Sequence, residues 1–72
     1  MTTYVLTKGD DQFRIRINGD EGRIVRVVKG KVSTSERVVR AIEANDEVGI
    51  LMRRGYNARK VSDEPLKNQH AG

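Results

Sequence analysis

The carboxylates of this chain come in pairs: Asp10-Asp11, Asp20-Glu21, Asp46-Glu47 and Asp63-Glu64. Paired carboxylates can hold a divalent cation only where several oxygens converge on one point. Three of these pairs fall in expected turns or caps and the fourth in a polar tail, positions where Asp and Glu serve the local backbone. The cluster Ser33-Thr34-Ser35-Glu36 offers hydroxyls and an acid, but a nucleophile needs a base held beside it. The single histidine, His70, is near the far end, and there is no cysteine. Gly19, Gly22 and Gly30 match no phosphate-binding pattern and read as turn glycines. No catalytic residue, metal ligand or cofactor site is expected, and an enzyme is the least expected class.

The strongest chemical signal is a basic stripe: Arg14, Arg16, Arg23, Arg26, Lys29 and Lys31. If Arg14 and Arg16 face outward beside Arg23 on a neighbouring strand, they form a cationic patch. Such a patch suits phosphates or an acidic protein surface. Aromatic residues are scarce, with only Phe13, Tyr4 and Tyr56, so a stacking platform for single-stranded nucleic acid is not expected.

The elements that must position this stripe change character at residues 29–36. Before them, apolar and basic residues tend to alternate; after them, apolar residues recur at helical spacing. Residues 3–7 and 12–17 read as strands, the second with Phe13, Ile15 and Ile17 on one face. Asn18-Gly-Asp-Glu-Gly22 reads as a tight hairpin connection. The returning strand, residues 23–28, is partly apolar on both faces, which fits either cover on both sides or a bulge. Lys29-Gly30 either turns or bulges the chain. Ser33 and Glu36 match a capping box, so the main helix is expected over residues 34–44, with Val38, Val39, Ala41 and Ile42 as its apolar stripe.

Residues 46–55 allow a short second helix or a strand. Asp46 as N-cap, Arg53 and Arg54 in the last turn and Gly55 just past the end favour the helix. Residues 56–61 read as a last strand, with Tyr56, Ala58 and Lys60 on one face. The expected fold is therefore α+β: a small antiparallel sheet of three or four short strands packed on one main helix. Residues 1–61 form the domain and residues 62–72 a polar tail.

With 72 residues and a net charge of +4, the chain has room for one small core and only a modest basic excess. Nine of its fourteen basic residues are Arg, the better partner for carboxylates and phosphates. Apolar runs such as Ile50-Leu51-Met52 are far short of a membrane span, and no signal peptide is recognisable at the start. A soluble protein is expected, made in a cytoplasm and gaining stability from packing well or from other subunits.

Three stretches taken together carry a family likeness: Phe13-Arg-Ile-Arg-Ile-Asn-Gly, then Gly30-Lys-Val-Ser-Thr-Ser-Glu-Arg-Val-Val-Arg-Ala-Ile-Glu, then Arg54-Gly-Tyr56. They resemble small proteins of tailed bacteriophages encoded among head and neck genes. That pattern is a strand pair, a Gly-x-hydrophobic-x-Thr step, a polar cap, a helix with paired small or apolar residues, and a Gly-aromatic strand. Gly30, Val32, Thr34, Val38, Val39, Ile42, Gly55 and Tyr56 fit it, whereas the acid often found after the Thr is displaced to Glu36 and the first seven residues lie outside it.

The resemblance implies a virion component, assembled in the host cytoplasm and attached to the capsid shell. The expectation built on it is a minor head, decoration or cement protein. Its partners would be the major capsid protein, other virion subunits or further copies of itself. The alternative is a small basic nucleic-acid-binding or regulatory protein acting through the stripe.

Overall fold

A computed structural model describes residues 1–33 and 35–62, without the side chain of Ser62. Over these described residues the fold is α+β, as expected, but with six strands rather than three or four. The strands are β1 (Thr2–Lys8), β2 (Asp11–Asn18), β3 (Glu21–Val28), β4 (Lys31–Val32), β5 (Arg37–Arg40) and β6 (Asn57–Ser62); the one helix of the described residues, α1 (Ala41–Arg53), lies between the last two. All pairings are antiparallel. The order across the sheet is β4-β3-β2-β1-β6, and β5 lies end to end with β4 along the same edge of β3.

The first three strands form because short apolar alternations are joined by turns that the chain closes in two residues. Gly19, with φ of 62°, takes the first central position of the β2–β3 turn. A positive φ there matches the right-handed twist of the flanking strands. The β3–β4 connection puts both Lys29 and Gly30 at positive φ, so the chain turns there and does not bulge. Nor does β3 itself carry a bulge: its register against β2 runs unbroken from Asp11↔Val28 to Asn18↔Glu21.

The helix is the main correction. Residues 37–40 are not helical: they pair with β3 from Ile24↔Arg37 to Glu21↔Arg40. The adjacent β-branched Val38 and Val39 fit a pleated edge better than a first helical turn. The Ser33/Glu36 capping box does not form. The Ser33 N–H donates to the Arg26 carbonyl, extending the β4 pairing, and Glu36 accepts from Arg23. Thr34 lies outside the described residues. The helix instead begins after Arg40, an extended residue whose N–H donates to Glu43 Oε1 at 3.1 Å. The expected stripe fails with it, since Val38 and Ile42 are exposed.

Residues 46–53 are the second half of this same helix, so Asp46 is an interior position and not a cap, and the strand reading falls away. The expected stop holds. Gly55 (φ 97°) follows the C-cap, with Gly55 N–H donating to Met52 O and Tyr56 N–H to Leu51 O. This is the Schellman arrangement, and Tyr56 packs on the core that contains Leu51.

The core lies between α1 and one sheet face: Leu6, Ile15, Ile24, Ala44, Val48 and Leu51, flanked by Tyr4, Phe13, Ile17, Val39 and Tyr56. Gly22 is not a turn glycine. It sits in β3 directly beneath the helix, where a Cβ would lie 2.5 Å from that of Ala44. The sequence-expected tail lies outside the described residues from position 63 onward.

Candidate interaction face

Alternation along each strand divides the basic stripe between the two sides of the sheet. The helix covers the side bearing Leu6, Ile15 and Ile24. On the other side, which no helix covers among the described residues, register builds two mixed rows. One runs Val25–Arg14–Val5–Arg59 and the other Val38–Arg23–Arg16–Thr3–Val61. Arg14, Arg16 and Arg23 therefore do come together. Arg26 and Lys31 belong to the helix side, and Lys29 sits in the β3–β4 turn.

Arg23 is largely neutralised within its row. Its Nε donates to Glu21 at 2.6 Å and its Nη1 to Glu36 at 3.1 Å, and these hydrogen bonds, Glu21 first, raise its pKa. A depression of about 340 Å³ here is lined by Arg16, Arg23, Glu21 and Glu36 with Met1 and Asn18. Arg14 donates to Gln12 at 2.9 Å, and Arg16 lies 3.7 Å from the Met1 sulfur. Among the described residues no carboxylate forms an ion pair with Arg14, Arg16 or Arg59. Arg59 is thus the member of the patch that the sequence reading missed. The available signal was its parity: a strand with Tyr56, Ala58 and Lys60 on one face puts Arg59 on the other.

Arg26 does a different job. Its guanidinium grips Asp11 through two bonds of 2.9 and 2.8 Å, and the Tyr56 hydroxyl donates to the same carboxylate at 2.5 Å. Phe13 lies beneath, with Arg26 Cζ 5.3 Å from its ring centre and Tyr56 edge-on to it at 5.5 Å. Lys8 caps the far side, donating to the Arg54 carbonyl at 2.8 Å. This cluster ties β2, β3 and the turn after the helix into one unit.

The hydrogen bonds from Arg26 and then Tyr56 lower the Asp11 pKa from 3.8 to about 2, and the Asp11 bond raises that of Tyr56 in turn. A carboxyl held below its unfolded value stabilises the fold fully above that value, and the contribution is lost as pH falls through the folded one. The urea midpoint of the wild type should therefore drop between about pH 4 and pH 2. Asp11→Asn should flatten that part of the profile, and an unchanged profile would remove the cluster from the stability account.

Among the described residues no group of three His, Cys, Asp or Glu could hold a metal, and no helix is long and apolar enough to cross a membrane. The aromatic side chains, Tyr4, Phe13 and Tyr56, all pack on the helix side and leave the uncovered face without a stacking residue. Comparison with protein-family models, curated proteins and solved structures finds no match for the chain.

Proposed function

We propose that this chain is a non-enzymatic structural protein of a bacteriophage virion, docking on the capsid as a minor head, decoration or cement protein. The docking surface is the uncovered sheet face. The observation that carries the reading is the composition of that face: Arg14, Arg16 and Arg59, without carboxylate partners among the described residues, stand between Val5, Val25, Val38 and Val61. Guanidiniums among aliphatic side chains suit an acidic protein surface with apolar gaps, since Arg is enriched and Lys depleted at such interfaces. The family likeness in the sequence supplies the virion as the setting. Many weak copies on a repeating shell gain by avidity.

Mass spectrometry of purified virions should find the protein at a fixed copy number. The triple variant R14E/R16E/R59E should keep the melting temperature of the wild type. It should lower affinity for the capsid by roughly a hundredfold, about 1 kcal/mol for each arginine. A gel shift at low salt with steep salt dependence would instead favour the nucleic-acid reading.

A further inference from the structure

We propose that the outer edge of β6 takes up an extended acidic segment of a partner protein as an added strand. The inference rests on reading the chain as a protein-docking module and adds how and with what it docks. Ladder bonds in antiparallel pairs alternate sides from residue to residue. Three backbone bonds set the parity here: Lys29 N–H to Asp10 O, Ser33 N–H to Arg26 O and Ala41 N–H to Asp20 O. Carried across the registers, they direct the odd residues of β1 at β6, so Asn57, Arg59 and Val61 bond inward. The N–H and C=O groups of Ala58 and Lys60 are then directed outward, where no strand of the described residues pairs with them.

The opposite edge of the sheet is split between two short strands, and β4 directs only Val32 outward. In β5 the outward residues are Val38 and Arg40, and the Arg40 N–H is already bonded to Glu43 as the chain enters the helix. Among the described residues β6 is therefore the longer continuous edge with bonding capacity to spare.

The side chains state what kind of strand fits. Arg59 lies on the uncovered face and Lys60 on the helix face, both exposed and without an ion pair among the described residues. Ala58 and half-buried Val61 flank them. A partner strand would meet, in order, an apolar position, two cationic positions on opposite faces and another apolar position. The matching segment reads apolar-acid-acid-apolar. A second copy pairing about Arg59 or Lys60 would set like charges opposite one another, which destabilises a sheet.

The test uses the isotope-labelled full chain and a capped peptide, Thr-Val-Glu-Glu-Val-Thr. Strand addition should slow hydrogen exchange of the Ala58 and Lys60 amides by about tenfold or more at saturation. The peptide with lysines in place of its glutamates should not bind. Ala58→Pro removes one outward N–H and leaves the inward ladder intact, as edge strands permit. It should weaken binding by about tenfold, the effect of one lost hydrogen bond. If that variant fails to fold, exchange in the wild type still decides.

Unprotected Ala58 and Lys60 amides overturn the proposal. Peptide-induced shifts clustered on Arg14 and Arg16 would do so while leaving face docking intact. So would no binding at all by a chain that still enters virions. Loss of both peptide binding and virion attachment would count against the docking reading itself.

Discussion

Gly22→Val should destabilise the domain by about 3 kcal/mol, the upper end of what overpacking a core costs. For a chain of this size that lowers the thermal midpoint by roughly 15 °C. The cause is local and geometric. A Cβ at position 22 would meet the Ala44 Cβ at 2.5 Å, the Val39 Cγ2 at 3.3 Å and the Arg40 carbonyl oxygen at 3.4 Å. Two of these neighbours are backbone or nearly so, and neither can swing away. The helix would have to lift from the sheet just where β5 delivers the chain into it.

A double-mutant cycle isolates the contact between positions 22 and 44. Gly22→Ala alone should cost about 1–3 kcal/mol. Ala44→Gly alone should cost at least ~1 kcal/mol for a glycine in a helix interior. Together they should cost less than their sum by 1 kcal/mol or more, because each side has made room for the other. Additive urea-denaturation energies would show that the two positions do not touch.

Leu51→Ala should cost about 2–5 kcal/mol, whereas Ile42→Ala should change stability by less than about 0.5 kcal/mol. Leu51 is 1% exposed and Ile42 is 67% exposed. The pair discriminates between two placements of the helix. A helix over residues 34–44 would bury Ile42 in its apolar stripe and make the isoleucine the costly loss. A helix over Ala41–Arg53 buries Ala44, Val48 and Leu51 instead. Urea midpoints of the two variants, measured side by side, decide it, and the reverse ranking would refute the fold described above.

Local signals and tertiary packing place the helix start differently. Ser33 and Glu36 carry a capping-box spacing, and the residues after them repeat at helical intervals. Both signals are local. The edge of β3 offered hydrogen bonds to Arg37 and Val39, and in that pairing Val39 is partly buried against the core. A second acid at the right spacing, Glu43, reached back to Arg40 and served as the actual start. Two competing caps lie seven residues apart, and only the presence of the neighbouring strand selects between them. The helix end was legible, because Gly55 and the basic residues before it depend on nothing beyond the helix itself.

The stripe of six cations shows the same division. Alternation alone put Arg14 and Arg16 on one face, and the hairpin set Arg23 beside them. What local pattern could not supply was the fate of each charge. Asp11 captures Arg26 from across a hairpin and Glu36 reaches Arg23 from the β4–β5 loop, while Arg59 arrives beside Val5 from the far end of the chain.

By itself the sequence determined the hairpin strands, their turns, the helix stop and the class of fold. Each follows from contacts within a few residues, from period-two alternation, or from a backbone angle that glycine tolerates. The tertiary structure alone decided where the helix starts, why position 22 must lack a side chain, and which cations have no carboxylate partner among the described residues. Those outcomes depend on distances between segments far apart in the chain, and they were settled when the helix packed on the sheet and β6 closed against β1.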